Sequence, residues 1–120
     1  MRMTVVALLL AAVPVAFMEV RDPREWPPAV QQWVQAHREG GGDGVVHDEA
    51  HTYLLAAAGL HRTGGYALRF AEVTEAAGRI VAVAVLSVPP PGSPVTMTIT
   101  YPLAVARIAR TTLPVEIRRR

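Results

Sequence analysis

The chain has 120 residues, of which 51% are hydrophobic and 18% are charged, and this balance excludes an intrinsically disordered protein and favours one domain with an extensive core. Cysteine is absent, which excludes a disulfide framework, thiol catalysis and thiolate metal clusters. The net charge is only +2, although all 12 basic residues are arginine. Those near the C-terminus (Arg107, Arg110 and Arg118 to Arg120) are interpreted as a solvated basic end, so no nucleic-acid partner is predicted.

Residues 1–14 form an apolar N-terminal segment with two interpretations. The stretch from Met3 to Met18 carries no charge and follows an arginine, as in the n-region and h-region of a secretory signal. It is short for a membrane span, which needs about 20 apolar residues, and Pro14 interrupts it. Alternatively, Val13 to Val20 is a first strand. A signal would place the protein in the cell envelope or outside the cell, and otherwise it is cytoplasmic. Residues 15–120 are predicted to form a single β-rich domain.

One helix is predicted, over about 28–39. Pro27 and Pro28 stand where a helix can begin. Apolar and aromatic positions follow at i, i+3, i+4 and i+7, namely Val30, Trp33, Val34 and His37, and these lie on one helical face. Gly40 is expected to adopt the left-handed conformation that ends the helix. Trp33 is expected to anchor the helix on a sheet, whereas Gly41, Gly42 and Gly44 predict a flexible exit.

The rest of the chain is predicted to form strands. Strand patterns occupy Thr52 to Ala58, Tyr66 to Phe70, Ile80 to Val88, Val95 to Tyr101, Leu103 to Ile108 and Val115 to Ile117. Ala76-Ala77-Gly78 predicts a hairpin turn, and Ile80 to Val88 is apolar enough for a central strand. Val95 to Tyr101 alternates with threonine, so Met97, Ile99 and Tyr101 are expected on one face. The predicted fold is α+β, mainly β: an antiparallel β-sandwich or barrel of about six strands with one N-terminal helix packed on it.

His47-Asp48-Glu49-Ala50-His51 is the nearest approach to a metal site. Two histidines four residues apart on a helix can converge on zinc. The alternative is a strand, a turn at Asp48-Glu49-Ala50 and a second strand, with both histidines flanking the turn. The strand pattern that begins at Thr52 favours the hairpin, so neither a metal nor another cofactor is predicted.

The loop Thr63-Gly64-Gly65-Tyr66 joins two strand-like runs. Its glycines are expected to supply a positive φ or a close backbone approach. Candidate nucleophiles such as Thr63, Ser87 and Ser93 have no nucleophile-elbow context, so no enzymatic activity is predicted. A conformationally special loop on a rigid scaffold is typical of recognition. The candidate partner-binding residues are His61, Arg62, Thr63, Gly64, Gly65 and Tyr66, with Pro89 to Pro94 beside them.

These residues resemble the C-terminal domain family of PrcB, a protease-complex subunit. The matching stretches are TYLLAAAGLHRTGGYALRF, then GRIVAVAVLSVPPPGSPVTMTITYPLAVARI, then LPVEI. The family loop often carries a proline and a polar residue ahead of Thr-Gly-Gly-Tyr, where this chain has Leu60, His61 and Arg62. The loop is also similar, at Thr63, Gly65 and Tyr66, to that of chagasin-type protease inhibitors, which are immunoglobulin-like β-domains.

The resemblance implies a non-catalytic protein-interaction domain, an accessory or stabilising component of a protease complex. Its partner would be a protein, with a protease as the candidate. The first alternative is a chagasin-like inhibitor that acts through the Thr-Gly-Gly-Tyr loop. The second is a metal-dependent hydrolase centred on His47 and His51. The oligomeric state and the identity of the partner are left open.

Overall fold

Two four-stranded sheets pack face to face in the computed structural model, which describes residues 11–120. The elements are β1 (Val13–Pro14), β2 (Met18–Glu19), a 3-10 turn (Pro23–Glu25), α1 (Pro28–His37), β3 (Gly42–His47), β4 (His51–Ala57), β5 (Ala67–Ala76), β6 (Arg79–Ser87), β7 (Leu103–Ala109) and β8 (Val115–Arg119). Sheet A has the order β1-β5-β6-β8 and sheet B the order β2-β7-β4-β3. The α+β, mainly β fold is therefore confirmed in its sandwich form.

Most of the apolar N-terminal segment lies outside the described residues, which begin at residue 11. Within residues 11–120, no helix has the length and apolar character that a membrane span requires.

The core has two parts because β4 is buried on both faces. Leu54 and Ala56 point between the sheets, against Phe70 of sheet A. Tyr53 and Leu55 point to the other side and pack with α1. This burial on both faces explains why β4 contains a continuous apolar run. In a strand covered on only one face, apolar and polar residues alternate. The run from Ile80 to Val88 was predicted to be a central strand. This is also confirmed, because β6 lies between β5 and β8.

Helix α1 packs on the outer face of sheet B, as predicted. Val30 and Val34 are buried, and the indole of Trp33 occupies the space where a Cβ at Gly44 would lie. The prediction of Gly40 as the left-handed residue was wrong. Gly41 has φ +82, and its N–H donates to the carbonyl of His37 at 2.7 Å, so the chain reverses one residue later.

The predicted strand from Val13 to Val20 was wrong as a single element. The chain makes β1 in sheet A, crosses over, and makes β2 in sheet B. At the crossover the Val15 N–H donates to the carbonyl of Val73 at 2.9 Å, and Val15 and Phe17 pack against the core between the sheets. The segment therefore closes one side of the sandwich over part of its length.

The predicted strand from Val95 to Tyr101 was also wrong. Only Thr100 makes an isolated bridge, with His61, and the side chain of Met97 is 83% exposed. Alternation reports which side chains can share a face, but a strand also needs a partner edge. Conversely, two of the glycines predicted to make a flexible exit, Gly42 and Gly44, lie in β3, which pairs with β4 throughout.

The C-terminus also departs from expectation. Strand β8 pairs with β6 in parallel, whereas an all-antiparallel arrangement was predicted. The basic end is not a solvated tail, because Arg118 and Arg119 lie in β8. The guanidinium of Arg119 donates to Asp43 Oδ1 at 2.6 Å and to the carbonyl of Ala57 at 2.8 Å. Arg119 thereby connects sheet A to sheet B on the side opposite the crossover.

Candidate protein-interaction surface

The loop from Leu60 to Tyr66 is held against the segment from Val95 to Tyr101 by backbone hydrogen bonds. The N–H of His61 donates to the carbonyl of Thr100 at 2.9 Å, and the reverse bond measures 2.8 Å. Further along, the Gly64 N–H donates to the carbonyl of Thr96 at 2.9 Å. The Thr100 hydroxyl donates to the carbonyl of Thr63 at 2.9 Å. These four bonds fix the loop as one surface with its neighbouring segment.

Both glycines of the loop are required by close contacts. Gly65 has φ +93, and a Cβ there would lie 3.1 Å from the ring of Pro89. Gly64 is buried, and a Cβ there would overlap the hydroxyl of Thr96. The predicted backbone role of the glycine pair is therefore confirmed.

The predicted site residues divide by exposure. Arg62 and Gly65 are exposed, His61, Thr63 and Tyr66 are half-buried, and Gly64 is buried. The rings of His61 and Tyr66 pack with centroids 4.3 Å apart, and His61 Nδ1 lies 3.2 Å from the carbonyl of Gly59. The loop thus presents Arg62 and Gly65 to solvent, while the packed rings of His61 and Tyr66 stabilise it.

Exposed aliphatic side chains accompany this loop. We call them the apolar rim: Leu60 (39% exposed), Val88 (62%), Val95 (38%), Met97 (83%) and Ile99 (48%). Sequence reasoning did not identify this exposed set, because alternation predicted a strand with Met97 and Ile99 on one of its faces. The useful signal was the proline on either side of the segment, at Pro94 and Pro102, since proline cannot donate to a sheet ladder.

A cation–π contact connects the segment from Val95 to Tyr101, called here the rim segment, to the end of α1. The guanidinium carbon of Arg38 lies 4.3 Å from the centroid of the Tyr101 ring. The N–H of Leu60 donates to the carbonyl of Glu39 at 3.0 Å. The end of α1, the loop and the rim segment therefore form one supported surface.

The two histidines considered for metal binding lie on either side of a hairpin turn, so the helical interpretation was wrong. His47 Nδ1 lies 2.8 Å from the hydroxyl of Thr52. Asp48 Oδ1 accepts hydrogen bonds from the N–H groups of His51 at 2.7 Å and Ala50 at 2.8 Å, and these bonds lower the pKa of Asp48. In the described part of the chain, no three His, Asp or Glu side chains converge as metal ligands.

Comparison with known families gives a match over the middle and later part of the chain. The sequence model described as PrcB C-terminal matches residues 52–109, a range that includes the loop and the whole apolar rim. No curated protein and no solved structure matches the chain.

Proposed function

Residues 52–109 belong to the PrcB C-terminal family, and on this premise we propose that the protein is a non-catalytic interaction domain. Its partner is a protein, namely a protease or another subunit of a protease complex. The domain contacts this partner through the loop from Leu60 to Tyr66 and the apolar rim.

The exposure of the apolar rim is the observation that supports the proposal. Single exposed aliphatic side chains are ordinary on soluble proteins, whereas several beside one another are typical of interaction sites. Met97 and Ile99 lie in the segment that is hydrogen-bonded to the predicted recognition loop. An interface centred on them would bury these side chains without moving the backbone, because the four hydrogen bonds already fix it.

A non-catalytic role agrees with how the hydroxyl groups are used. Ser93 Oγ donates to the carbonyl of Pro90 at 2.6 Å and stabilises a turn. The hydroxyl that contacts an imidazole, that of Thr52, belongs to a fully buried residue. Neither of these hydroxyls is placed to attack a substrate.

The loop geometry favours docking over insertion into a protease cleft. An inhibitory loop of the chagasin type must project, whereas Gly64 is covered by Thr96 and Gly65 packs on Pro89 and Val95. We therefore retain direct inhibition as an outcome of the test and not as a second function.

The test is capture of partners from the native host by the wild-type protein and by the double variant Met97→Ser/Ile99→Ser. Full burial of each such side chain contributes about 1.5–3 kcal/mol, so each substitution is expected to weaken a binary complex by roughly tenfold to 100-fold. Met18→Ser is the matched control, because Met18 is 56% exposed on β2, in sheet B and outside the rim.

The expected result is a protease or protease-complex subunit that is captured by the wild type and by Met18→Ser and is lost with the double variant. Equal capture by all three folded proteins would contradict the proposal. Titration of the wild type against cysteine and serine proteases supplies the second arm, in which inhibition by the isolated domain would replace docking with the chagasin-like mechanism.

A further inference from the structure

The space between the two sheets is open on one side of the molecule. Arg119 connects the sheets on the opposite side, and the crossover of residues 15–17 closes the near side only beside the second half of β5. Beyond the crossover lies a cleft of about 370 Å³ between the first halves of β5 and β7. Its lining includes Trp26, Leu68, Arg69 and Leu103.

The cleft exposes part of an unpaired strand edge. Strand β1 pairs with β5 only at Thr74 and Glu75, and within residues 11–120 no strand pairs with this side of Ala67 to Phe70. The N–H of Phe70 points into the cleft, since it donates to a side chain there. Backbone groups along one edge of an antiparallel strand recur every second residue. Leu68 therefore presents its N–H and carbonyl to the same cleft.

A carboxylate occupies the place of a partner strand at Phe70. Glu19 Oε1 accepts the Phe70 N–H at 3.1 Å, and Glu19 Oε2 is held by the guanidinium of Arg21 at 2.7 Å. A β-bulge follows between Phe70 and Glu72, and bulges terminate pairing along an edge. The available edge is thus the short stretch before the bulge, with Leu68 at its centre.

Side chains on the two faces of this edge differ in chemistry. Leu68 and Phe70 point into the apolar core between the sheets, and Arg69, between them, points to the outer face and is exposed. A residue that pairs beside Arg69 would place its side chain on the outer face, where an opposite charge is favourable. Its two neighbours would point inward: the one beside Leu68 would face apolar side chains of the cleft, and the one beside Phe70 would take the place of the Glu19 carboxylate.

We propose that this edge binds an extended peptide with the pattern apolar, acidic, apolar, which adds a short strand to sheet A beside β5. Backbone hydrogen bonds to Leu68 hold the peptide, the two apolar side chains enter the cleft, and the acidic side chain pairs with Arg69. The occupant is a single short peptide strand, because the available edge is only the stretch before the bulge and the Phe70 N–H is already bound by Glu19. The proposal goes beyond the proposed function, since the edge from Ala67 to Phe70 lies outside the apolar rim and follows the loop, whose last residue, Tyr66, also lines the cleft.

The probe is the capped peptide Thr-Val-Glu-Val-Thr, measured by NMR with the whole protein. Its matched controls are the same peptide with lysine in place of glutamate and the same peptide with N-methyl groups on its three central residues. Arg69→Glu is the first protein variant. Because Arg69 is exposed, this substitution is compatible with folding. Met97→Ser, in the apolar rim, is the second variant.

We expect the glutamate peptide at millimolar concentration to slow hydrogen exchange of the Leu68 amide. It should bind the wild type about twofold to fivefold more tightly than the lysine peptide does, and Arg69→Glu should reverse this preference. The N-methylated peptide should not bind. The Met97→Ser variant should bind the glutamate peptide like the wild type, which distinguishes this site from the apolar rim. An unchanged Leu68 amide with the glutamate peptide, or a preference that Arg69→Glu leaves unaltered, would overturn the proposal.

Discussion

Replacement of Gly44 by alanine tests how the helix is anchored. Gly44 lies in β3 with a φ outside the left-handed region, so its backbone accepts an alanine. A Cβ there would nevertheless meet three indole atoms of Trp33 within 3.1 Å. The indole also stacks on the ring of His37, with centroids 4.3 Å apart, so it cannot move without disturbing the helix.

The magnitude follows from two opposing effects. Overpacking a fixed side chain costs about 1–3 kcal/mol, and the number of indole atoms involved puts Gly44→Ala in the upper part of that range, at about 2–3 kcal/mol. Alanine is better than glycine within a strand by roughly 0.5–1 kcal/mol. We therefore expect the free energy of unfolding to fall by about 1–2.5 kcal/mol, a substantial part of the roughly 5–15 kcal/mol typical of a domain.

The assay is urea unfolding followed by tryptophan fluorescence, in a double-mutant cycle with Trp33→Ala. Once the indole is removed, Gly44→Ala should change sign and stabilise the protein by about 0.5–1 kcal/mol. Gly40→Ala is the control, because a Cβ at Gly40 would meet no atom within 4 Å, and it should be neutral or slightly stabilising. If Gly44→Ala had the same effect with and without the indole, the reasoning that Trp33 anchors the helix on β3 would be refuted.

Three further predictions concern the core, the turn and the connection between the sheets. Leu54→Ala should lower the free energy of unfolding by about 3–5 kcal/mol, because Leu54 is fully buried, whereas Leu60→Ala at the exposed rim should change it by less than about 0.5 kcal/mol in urea titrations. Backbone hydrogen bonds from His51 and Ala50 lower the pKa of Asp48, so the carboxylate contributes stability above the ordinary aspartate pKa of about 3.9 and loses that contribution as the pH falls through the lower folded value. The difference in melting temperature between the wild type and Asp48→Ala should accordingly shrink on acidification, and a constant difference would argue against this role. Arg119→Ala should cost about 1–3 kcal/mol because it removes charged hydrogen bonds between the sheets, whereas Arg118→Ala, which removes an exposed ion pair, should lower the stability much less. Equal thermal stability of the two variants would contradict the connecting role.

At the candidate site, the backbone conformation of the loop could be predicted from the local sequence, whereas the exposure of the apolar rim could not. A glycine pair before an aromatic residue indicates a special backbone conformation, and Gly65 with its positive φ confirms it. The same kind of reasoning placed Met97 and Ile99 on one face of a strand, because alternation cannot show whether a partner strand exists. Their exposure depends on contacts with the loop that lie more than 30 residues apart along the chain.

The sequence by itself determined the elements whose pattern is local. The i, i+3, i+4 spacing specified α1, and turn residues specified the hairpins at residues 48–50 and 76–78. Only the tertiary structure decided which edges pair: it divided Val13 to Val20 between two sheets, placed β8 parallel to β6, and gave the edge at Leu68 no partner strand among residues 11–120. The physical reason is that φ, ψ and side-chain periodicity are set by neighbours along the chain, whereas a strand's hydrogen-bond partner is chosen among distant segments that compete to cover the same core.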